Sequence, residues 1–303
     1  MMFASDMRPR SSSVWSLRVA ALSVQLILVA AVLHRVSLLQ TPVMLDLFKV
    51  ALAGAGLAIL LAIFALYRIW REGGSGGGRA TWGILVAACI LAWPAALSAW
   101  YLQLPLINDV TTDTRQPPVF RALAETRRSA TAPLTYPAAF AEPQLAAYPG
   151  VEPMLVRRSS TEAFELVREA VRRLRWTVVQ EQPPDLRSGM PGTIEAVDRT
   201  LVLGFPDDIV IRVQGDRRSA RIDMRSASRY GRHDFGQNAR RLLKLAREVQ
   251  ARVAATVGAV VEPEARPSPP PAARPSVSAR KRVRKRSPVR KAPRRKSRSP
   301  AAE

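Results

Sequence analysis

Long apolar segments dominate the first third of the chain. At a rise of 1.5 Å per residue, each is long enough to cross a hydrocarbon core of roughly 30 Å. Three such segments in succession leave no polar chain to cover them in water, so the pattern predicts a three-helix transmembrane anchor over residues 1–104. The segments are Leu17 to Leu39, Val50 to Trp70, and Thr81 to Leu104.

Two later stretches have the hydrophobic spacing of amphipathic helices. Ser159 and Glu162 have the spacing of a capping box, and the apolar residues that follow recur at intervals of three and four up to about Arg175. The second helix is predicted from Asp234, which is placed to cap it, to about Val253.

Four runs between these helices have the composition of β-strands. The order helix, four strands, helix, with short connections, indicates a four-stranded antiparallel sheet with two helices on one face. The fold class is therefore an α-helical membrane anchor plus an α+β soluble domain, a two-layer sandwich. The predicted strands are Trp176 to Glu181, Gly192 to Phe205 (one long or broken strand), Asp208 to Gln214, and Ala220 to Ser228.

Alternation along the last two strands assigns their side chains to opposite faces. One set is apolar and should point at the helices: Ile209, Ile211, Val213, Ile222 and Met224. The other set, Arg212, Asp223 and Arg225, shares the opposite face. That face is solvated, packed on the proline-rich residues 105–158, or a binding surface.

Composition divides the remainder into further regions. Eight prolines punctuate residues 105–158, which predicts an irregular wrapping segment with a short helix at about Phe120 to Arg128. The α+β domain is predicted at 159–256. Residues 257–303 are rich in proline and basic residues and have no aromatic side chain, so we expect a disordered polybasic tail.

Arginines near the apolar segments predict the orientation. Arg8, Arg10 and Arg18 precede or begin the first segment, and Arg68, Arg71 and Arg79 surround the connection between the second and third. Positive residues in short loops are retained in the cytoplasm. The N-terminus is therefore expected in the cytoplasm, and an odd number of spans places the soluble domain and the C-terminus on the other side.

Three separated stretches resemble a known family. They are LINDVTTDTRQPPVF directly after the third segment, FPDDIVIRV in the third predicted strand, and the run IDMRSASRYGRHDFGQNARRL from Ile222. Together they resemble the uncharacterised bacterial family catalogued as domain of unknown function 1499, over roughly residues 105–255. The resemblance implies a bacterial envelope protein but no activity. The membrane is then the inner membrane, and the soluble domain is periplasmic.

The charge of the tail suggests its partners. The net charge is +22, and half of the excess lies in the last 43 residues, which hold 14 Lys and Arg. In the periplasm we expect this tail to contact anionic lipid, lipopolysaccharide or a wall polymer, with no specific nucleic acid partner. The alternative is a solubilising tail without a specific partner, and the sequence does not predict the oligomeric state.

The densest polar cluster lies where the last strand meets the last helix. A helix N-terminus with nearby arginines favours binding of an anion or a protein partner. The candidate binding residues are Arg225, Ser226, Ser228, Arg229, Asp234 and Asn238. The alternative, which we favour for these arginines, is a structural clamp, in which they pair with acidic residues of the post-membrane segment and the sheet. The clamp candidates are Asp109, Asp113, Asp207, Asp208, Arg212 and Asp223.

Catalysis is the less favoured hypothesis. An envelope lipid- or glycan-modifying enzyme would use the cluster of Arg225, Arg229 and Asp234, with Asp223 or Asp234 as acid or base. A hydrolytic triad is disfavoured because His233 and Asp234 are adjacent and no nucleophile elbow is present. With two histidines and one cysteine, Cys89, in the chain, we expect no metal site and no cofactor. The sequence therefore favours a non-enzymatic membrane protein.

Overall fold

The computed structural model describes residues 11–101, 103–128 and 133–259. Seven α-helices and six strands are found in these residues. The helices are α1 (Ser11–Arg35), α2 (Thr41–Glu72), α3 (Gly77–Tyr101), α4 (Ala124–Arg128), α5 (Ala141–Ala147), α6 (Ser160–Arg173) and α7 (Gln237–Ala259). The strands are β1 (Asp109–Thr111), β2 (Met154–Val156), β3 (Thr177–Gln182), β4 (Gly192–Arg199), β5 (Pro206–Gly215) and β6 (Ala220–Ser228).

Helices α1, α2 and α3 are long and apolar enough to cross a membrane, as the sequence predicts, with mean hydropathies of 2.1, 2.4 and 1.9 over their most apolar windows. Small residues let the helices approach closely, as is common between membrane helices. A Cβ at Gly54 would lie 2.6 Å from Ser23 Oγ, and Ala20, Ala55 and Ala87 are buried between the helices.

The soluble domain is built on one antiparallel sheet with the strand order β1-β6-β5-β4-β3. Strand β2 also pairs with β6, through Met154 opposite Ile222. The four predicted strands correspond to β3 to β6. Strands β1 and β2 are additional, so the sheet has six strands and the prediction of four was wrong. The extra strands β1 and β2 have three residues each, which is too short for alternation to indicate them.

Both amphipathic helices pack on one face of the sheet, around a single hydrophobic core. Phe164 and Val167 of α6 and Leu242 of α7 meet the sheet there. The capping box at Ser159 and Glu162 starts α6, as predicted. The apolar strand residues assigned to this face all lie in the core: Ile209, Ile211, Val213, Ile222 and Met224.

The proline-rich segment covers the opposite face. Phe120 and Leu123 are buried against Val210 and Ala227 in a second, smaller core. The short helix α4 begins at Ala124, later than predicted, and α5 was not predicted. Of the three possibilities for this face, the structure has the one in which the segment packs on it. The predicted domain bounds stay predictions, and residues 260–303, most of the predicted disordered tail, lie outside the described residues.

Candidate functional site

Arg225 is the centre of the contacts between the post-membrane segment and the sheet. Its Nε and Nη2 donate to the two carboxylate oxygens of Asp109 at 3.0 and 2.7 Å. Nη1 and Nη2 also donate to the backbone carbonyls of Pro118 and Leu134, at 3.2 and 3.1 Å. The side chain is 1% exposed. A buried arginine with this set of acceptors is held as a structural cross-link.

Asp208 forms a second buried centre on the same face. It accepts from Arg127 at 2.8 Å and from Arg229 at 2.7 Å, and its side chain is fully buried. The guanidinium carbons of Arg127 and Arg225 lie 4.9 and 4.8 Å from the centroid of the Phe120 ring. Cation–π contacts of this kind gain strength when they are removed from water. Phe120 therefore joins the two ionic centres.

Asp113 and Asp223 share two arginines nearer the surface. Arg221 donates to Asp113 at 2.8 Å and to Asp223 at 2.9 Å. Arg212 donates to Asp223 at 2.9 Å and lies 3.5 Å from Asp113. We use the name clamp for the pairs that join the post-membrane segment to the sheet, namely Asp109–Arg225, Arg127–Asp208 and Asp113 with Arg212 and Arg221.

Two polar side chains reinforce the clamp by satisfying backbone groups. Glu195 on β4 is 3% exposed and accepts from the amides of residues 121, 122 and 123 at 2.8 to 3.1 Å. Gln144 on α5 accepts from the Thr111 amide at 3.0 Å and donates to the Thr111 carbonyl at 2.8 Å. Gln144 thus takes the place of a neighbouring strand along β1.

Arg241 connects the sheet to α7. It donates to Asp207 at 2.7 Å, to Asp198 at 2.8 Å and to Ser226 Oγ at 3.1 Å. Asn238 accepts from Ser226 Oγ at 2.7 Å and donates to Ser228 Oγ at 3.1 Å. Burial raises the pKa of Asp207, and the Arg241 charge opposes that rise.

Asp234 caps α7, although the helix begins at Gln237 instead of Asp234. Its carboxylate accepts from the amides of Gly236 and Asn238, both at 2.8 Å. Burial raises the pKa of Asp234, and these two amides act in the opposite direction. Phe235 has a φ of 53°, a left-handed conformation that is unusual for a bulky side chain. Strained backbone of this kind is concentrated at functional sites.

The connection between β4 and β5, residues 200–205, rests on the turn between α1 and α2. His34 Nδ1 lies 2.7 Å from the Leu203 carbonyl oxygen, and His34 Nε2 lies 2.9 Å from Thr41 Oγ1. The rings of His34 and Phe205 are 5.6 Å apart. The sequence predicted a long or broken strand through these residues, but β4 ends at Arg199.

A cleft of about 530 Å³ lies between this connection and the start of α7. We call it the interfacial cleft, because it opens where the ends of α2 and α3 meet the soluble domain. Its polar lining is contributed by Thr200, Asp207, Ser228, Tyr230, His233, Asp234, Gln237 and Arg240, and its apolar lining includes Leu45, Leu97, Leu203 and Phe205.

The candidate residues fall into separate locations. Ser228 and Asp234 line the interfacial cleft with Asp207, whereas Arg225, Ser226, Arg229 and Asn238 do not. The sequence did not indicate Arg127 or Glu195, because charged residues outside a motif are ordinarily solvated. Arg241 lies within the run that carries the resemblance but was not among the candidate residues. Cleft residues His233 and Arg240 lie within the run that carries the resemblance.

Comparison with known proteins agrees with the resemblance. Residues 109–249 match the model of the family described as a protein of unknown function, DUF1499. The match begins at the first residue of β1 and ends within α7. No curated protein matches the chain. No solved structure matches it either.

Proposed function

We propose that this chain, a membrane protein that carries a DUF1499 domain at residues 109–249, binds an anionic ligand in the interfacial cleft without catalysing a reaction. The observation that carries the proposal is the cleft itself. It combines a polar wall, an apolar wall and an exposed basic residue, Arg240, next to the strained Phe235. Pockets with a few convergent polar groups are the usual ligand sites of proteins.

Positive charge lies at the cleft and close to it, although only Arg240 belongs to its lining. Arg240 lines the cleft, where its Nη2 donates to the Phe235 carbonyl at 2.7 Å. The exposed Arg35, at the end of α1, packs on Gly204 of the β4–β5 connection. The two carboxylates of the cleft are already engaged, because Asp207 pairs with Arg241 at 2.7 Å and Asp234 accepts from two backbone amides. Neither therefore presents an uncompensated charge to an anion.

A structural role for the predicted arginines favours binding over catalysis. Arg225 lies in the clamp and is 1% exposed, and Arg229 donates to Asp208 through both Nε and Nη2. An enzyme that grips a phosphate needs those guanidinium groups free to reach the substrate. Ser226 and Ser228 are both engaged with Asn238, which favours a structural role for the two hydroxyl groups.

The proposed location is the inner membrane of a bacterium, with the N-terminus in the cytoplasm and the DUF1499 domain in the periplasm. Arg18 lies near the start of α1, and Arg68 and Arg71 lie in the last turn and a half of α2. These residues occupy the end of the helices away from the α1–α2 turn, on which the β4–β5 connection rests. Lysine and arginine are retained on the cytoplasmic side. The basic tail is then directed at anionic lipid, lipopolysaccharide or wall polymer.

Reporter fusions test the orientation. A reporter that is active only in the periplasm, fused at Val257, should be active, and a cytoplasmic reporter at the same position should be inactive. The reverse pattern of reporter activity would refute the proposed periplasmic location of the domain.

Thermal unfolding of the full chain in detergent tests the ligand. Glycerol phosphate should raise the unfolding temperature more than uncharged glycerol does, and Arg240→Gln should abolish the difference. Arg247→Gln is the matched control, because Arg247 is exposed on α7 and does not line the cleft. An equal response to the two compounds, or a loss in both variants, would refute the anion site.

A further inference from the structure

A second cavity, of about 640 Å³, lies between the three membrane helices. Residues of α1, α2 and α3 line it, together with Leu203 and Phe205 of the β4–β5 connection. Its lining is almost wholly apolar. We call it the intramembrane cavity.

The intramembrane cavity opens sideways, toward the hydrocarbon of the bilayer. Leu28, Trp82 and Trp93 line it and are 59%, 63% and 67% exposed. Pro94 also lines it and lacks the amide that would donate to the Ile90 carbonyl within α3. A lipid acyl chain can therefore enter from the side without unfolding any helix.

The intramembrane cavity adjoins the interfacial cleft. Four residues, Leu45, Leu97, Leu203 and Phe205, line both spaces. The apolar part lies between the spans and the polar part lies at their ends, where lipid headgroups are found. Each space has a volume within the range of about 300–1,000 Å³ that is usual for small-molecule sites.

Two exposed apolar residues indicate where the membrane surface lies relative to the two spaces. Leu201 and Val202, at the tip of the β4–β5 connection, are 88% and 76% exposed. Exposed apolar side chains beside spanning helices are stable when they lie in the acyl region of the bilayer. The polar wall of the interfacial cleft then lies at the headgroup level.

We infer that the two spaces together bind one lipid with a negatively charged headgroup, its acyl chain between the spans and its headgroup in the interfacial cleft beside Arg240. This inference rests on the proposed function and adds the class of the ligand. A helix from a second copy of the chain would fill the intramembrane cavity but leave the polar cleft unoccupied. The shared lining of the two spaces favours a lipid, because a lipid has an apolar part for one and a polar part for the other.

Cys89 is the chain's one cysteine, lines the intramembrane cavity and is exposed. Its alkylation by N-ethylmaleimide therefore reports on the occupant. In the full chain in detergent, dioctanoyl phosphatidylglycerol should slow alkylation more than dioctanoyl phosphatidylcholine at the same concentration. Arg240→Gln should weaken the apparent affinity of phosphatidylglycerol about fivefold, the effect of one basic residue near a charged surface. Leu28→Trp, which reduces the cavity from an exposed position, should weaken protection by both lipids.

A displaced cysteine is the control. In the double variant Cys89→Ala with Leu60→Cys, the cysteine lies at an exposed position of α2 outside the cavity, and its alkylation should not respond to either lipid.

Each of the other outcomes would refute a particular part of the inferred lipid site. If phosphatidylglycerol raises the unfolding temperature through Arg240 but leaves Cys89 alkylation unchanged, the acyl-chain site is wrong and the proposed function stands. If neither response depends on Arg240, both are wrong. Equal protection by the two lipids would show that binding does not require a negatively charged headgroup. Protection that follows protein concentration instead of lipid indicates a second copy of the chain.

Discussion

The buried pair between Arg225 and Asp109 gives the most quantitative prediction. In Arg225→Met, the Asp109 carboxylate loses both of its guanidinium hydrogen bonds while it stays 2% exposed. The carbonyls of Pro118 and Leu134 lose a donor as well. Removing one partner of a buried ion pair costs about 3–5 kcal/mol, because the other charge is left uncompensated. We therefore expect the free energy of local opening, in which the post-membrane segment leaves the sheet, to fall by this amount.

Hydrogen exchange of the full chain in detergent measures the effect. Amides of β1 and of residues 119–128 should exchange roughly 10²- to 4 × 10³-fold faster in Arg225→Met, because local opening becomes easier by that free energy. Exchange in α2 should not change. Arg168→Met is the matched control, because Arg168 forms an exposed pair with Glu165 on α6, and such pairs contribute about 0–1 kcal/mol.

A double variant shows whether the cost of Arg225→Met comes from the unpaired Asp109 charge or from the loss of the ion pair itself. Asp109→Leu combined with Arg225→Met removes both charges, and this double variant should exchange more slowly than Arg225→Met alone, since no unpaired charge is buried. If Arg225→Met exchanges like the wild type, or if the double variant is worse than the sum of the single ones, the account of the clamp is wrong.

Three smaller predictions concern other contacts. Gln144→Leu removes both hydrogen bonds to Thr111 and should destabilise β1 by about 1–3 kcal/mol, measured by exchange of its amides. Gly83→Val places a side chain against the α1 backbone and should lower the thermal stability of the membrane helices, whereas Gly56→Val, which meets open space, should not. Two backbone amides lower the pKa of Asp216 in the folded chain. Its carboxylate therefore stabilises the β5–β6 turn at pH values above the unfolded pKa, and this stabilisation is lost as the pH falls through the folded pKa. Asp216→Asn should remove this part of the pH dependence of the unfolding temperature.

The helices and the central strands were predictable because their apolar residues have a clear period. The capping box at Ser159 and the alternation through Ile209 and Ile211 each describe a single element, and local sequence decides it. Strands β1 and β2 were not predictable, because three residues carry no period and their conformation depends on the edge of β6.

The candidate site was only partly predictable. The sequence indicated the join of β6 and α7, where Ser228 and Asp234 line the interfacial cleft. It left open whether Arg225 binds a ligand or pairs with an acidic residue such as Asp109, since a pairing across 116 positions is set by the packing of the whole domain. It gave no sign that Leu203 and His34 meet, because that contact joins the soluble domain to a membrane helix.

Native mass spectrometry of the full chain, extracted from its own membrane, decides whether an anionic lipid occupies the interfacial cleft. We expect one bound anionic lipid on the wild type and on Arg247→Gln, and a strongly reduced amount on Arg240→Gln. A chain that retains no anionic lipid, or that retains the same amount in Arg240→Gln as in Arg247→Gln, would contradict a lipid site in the interfacial cleft.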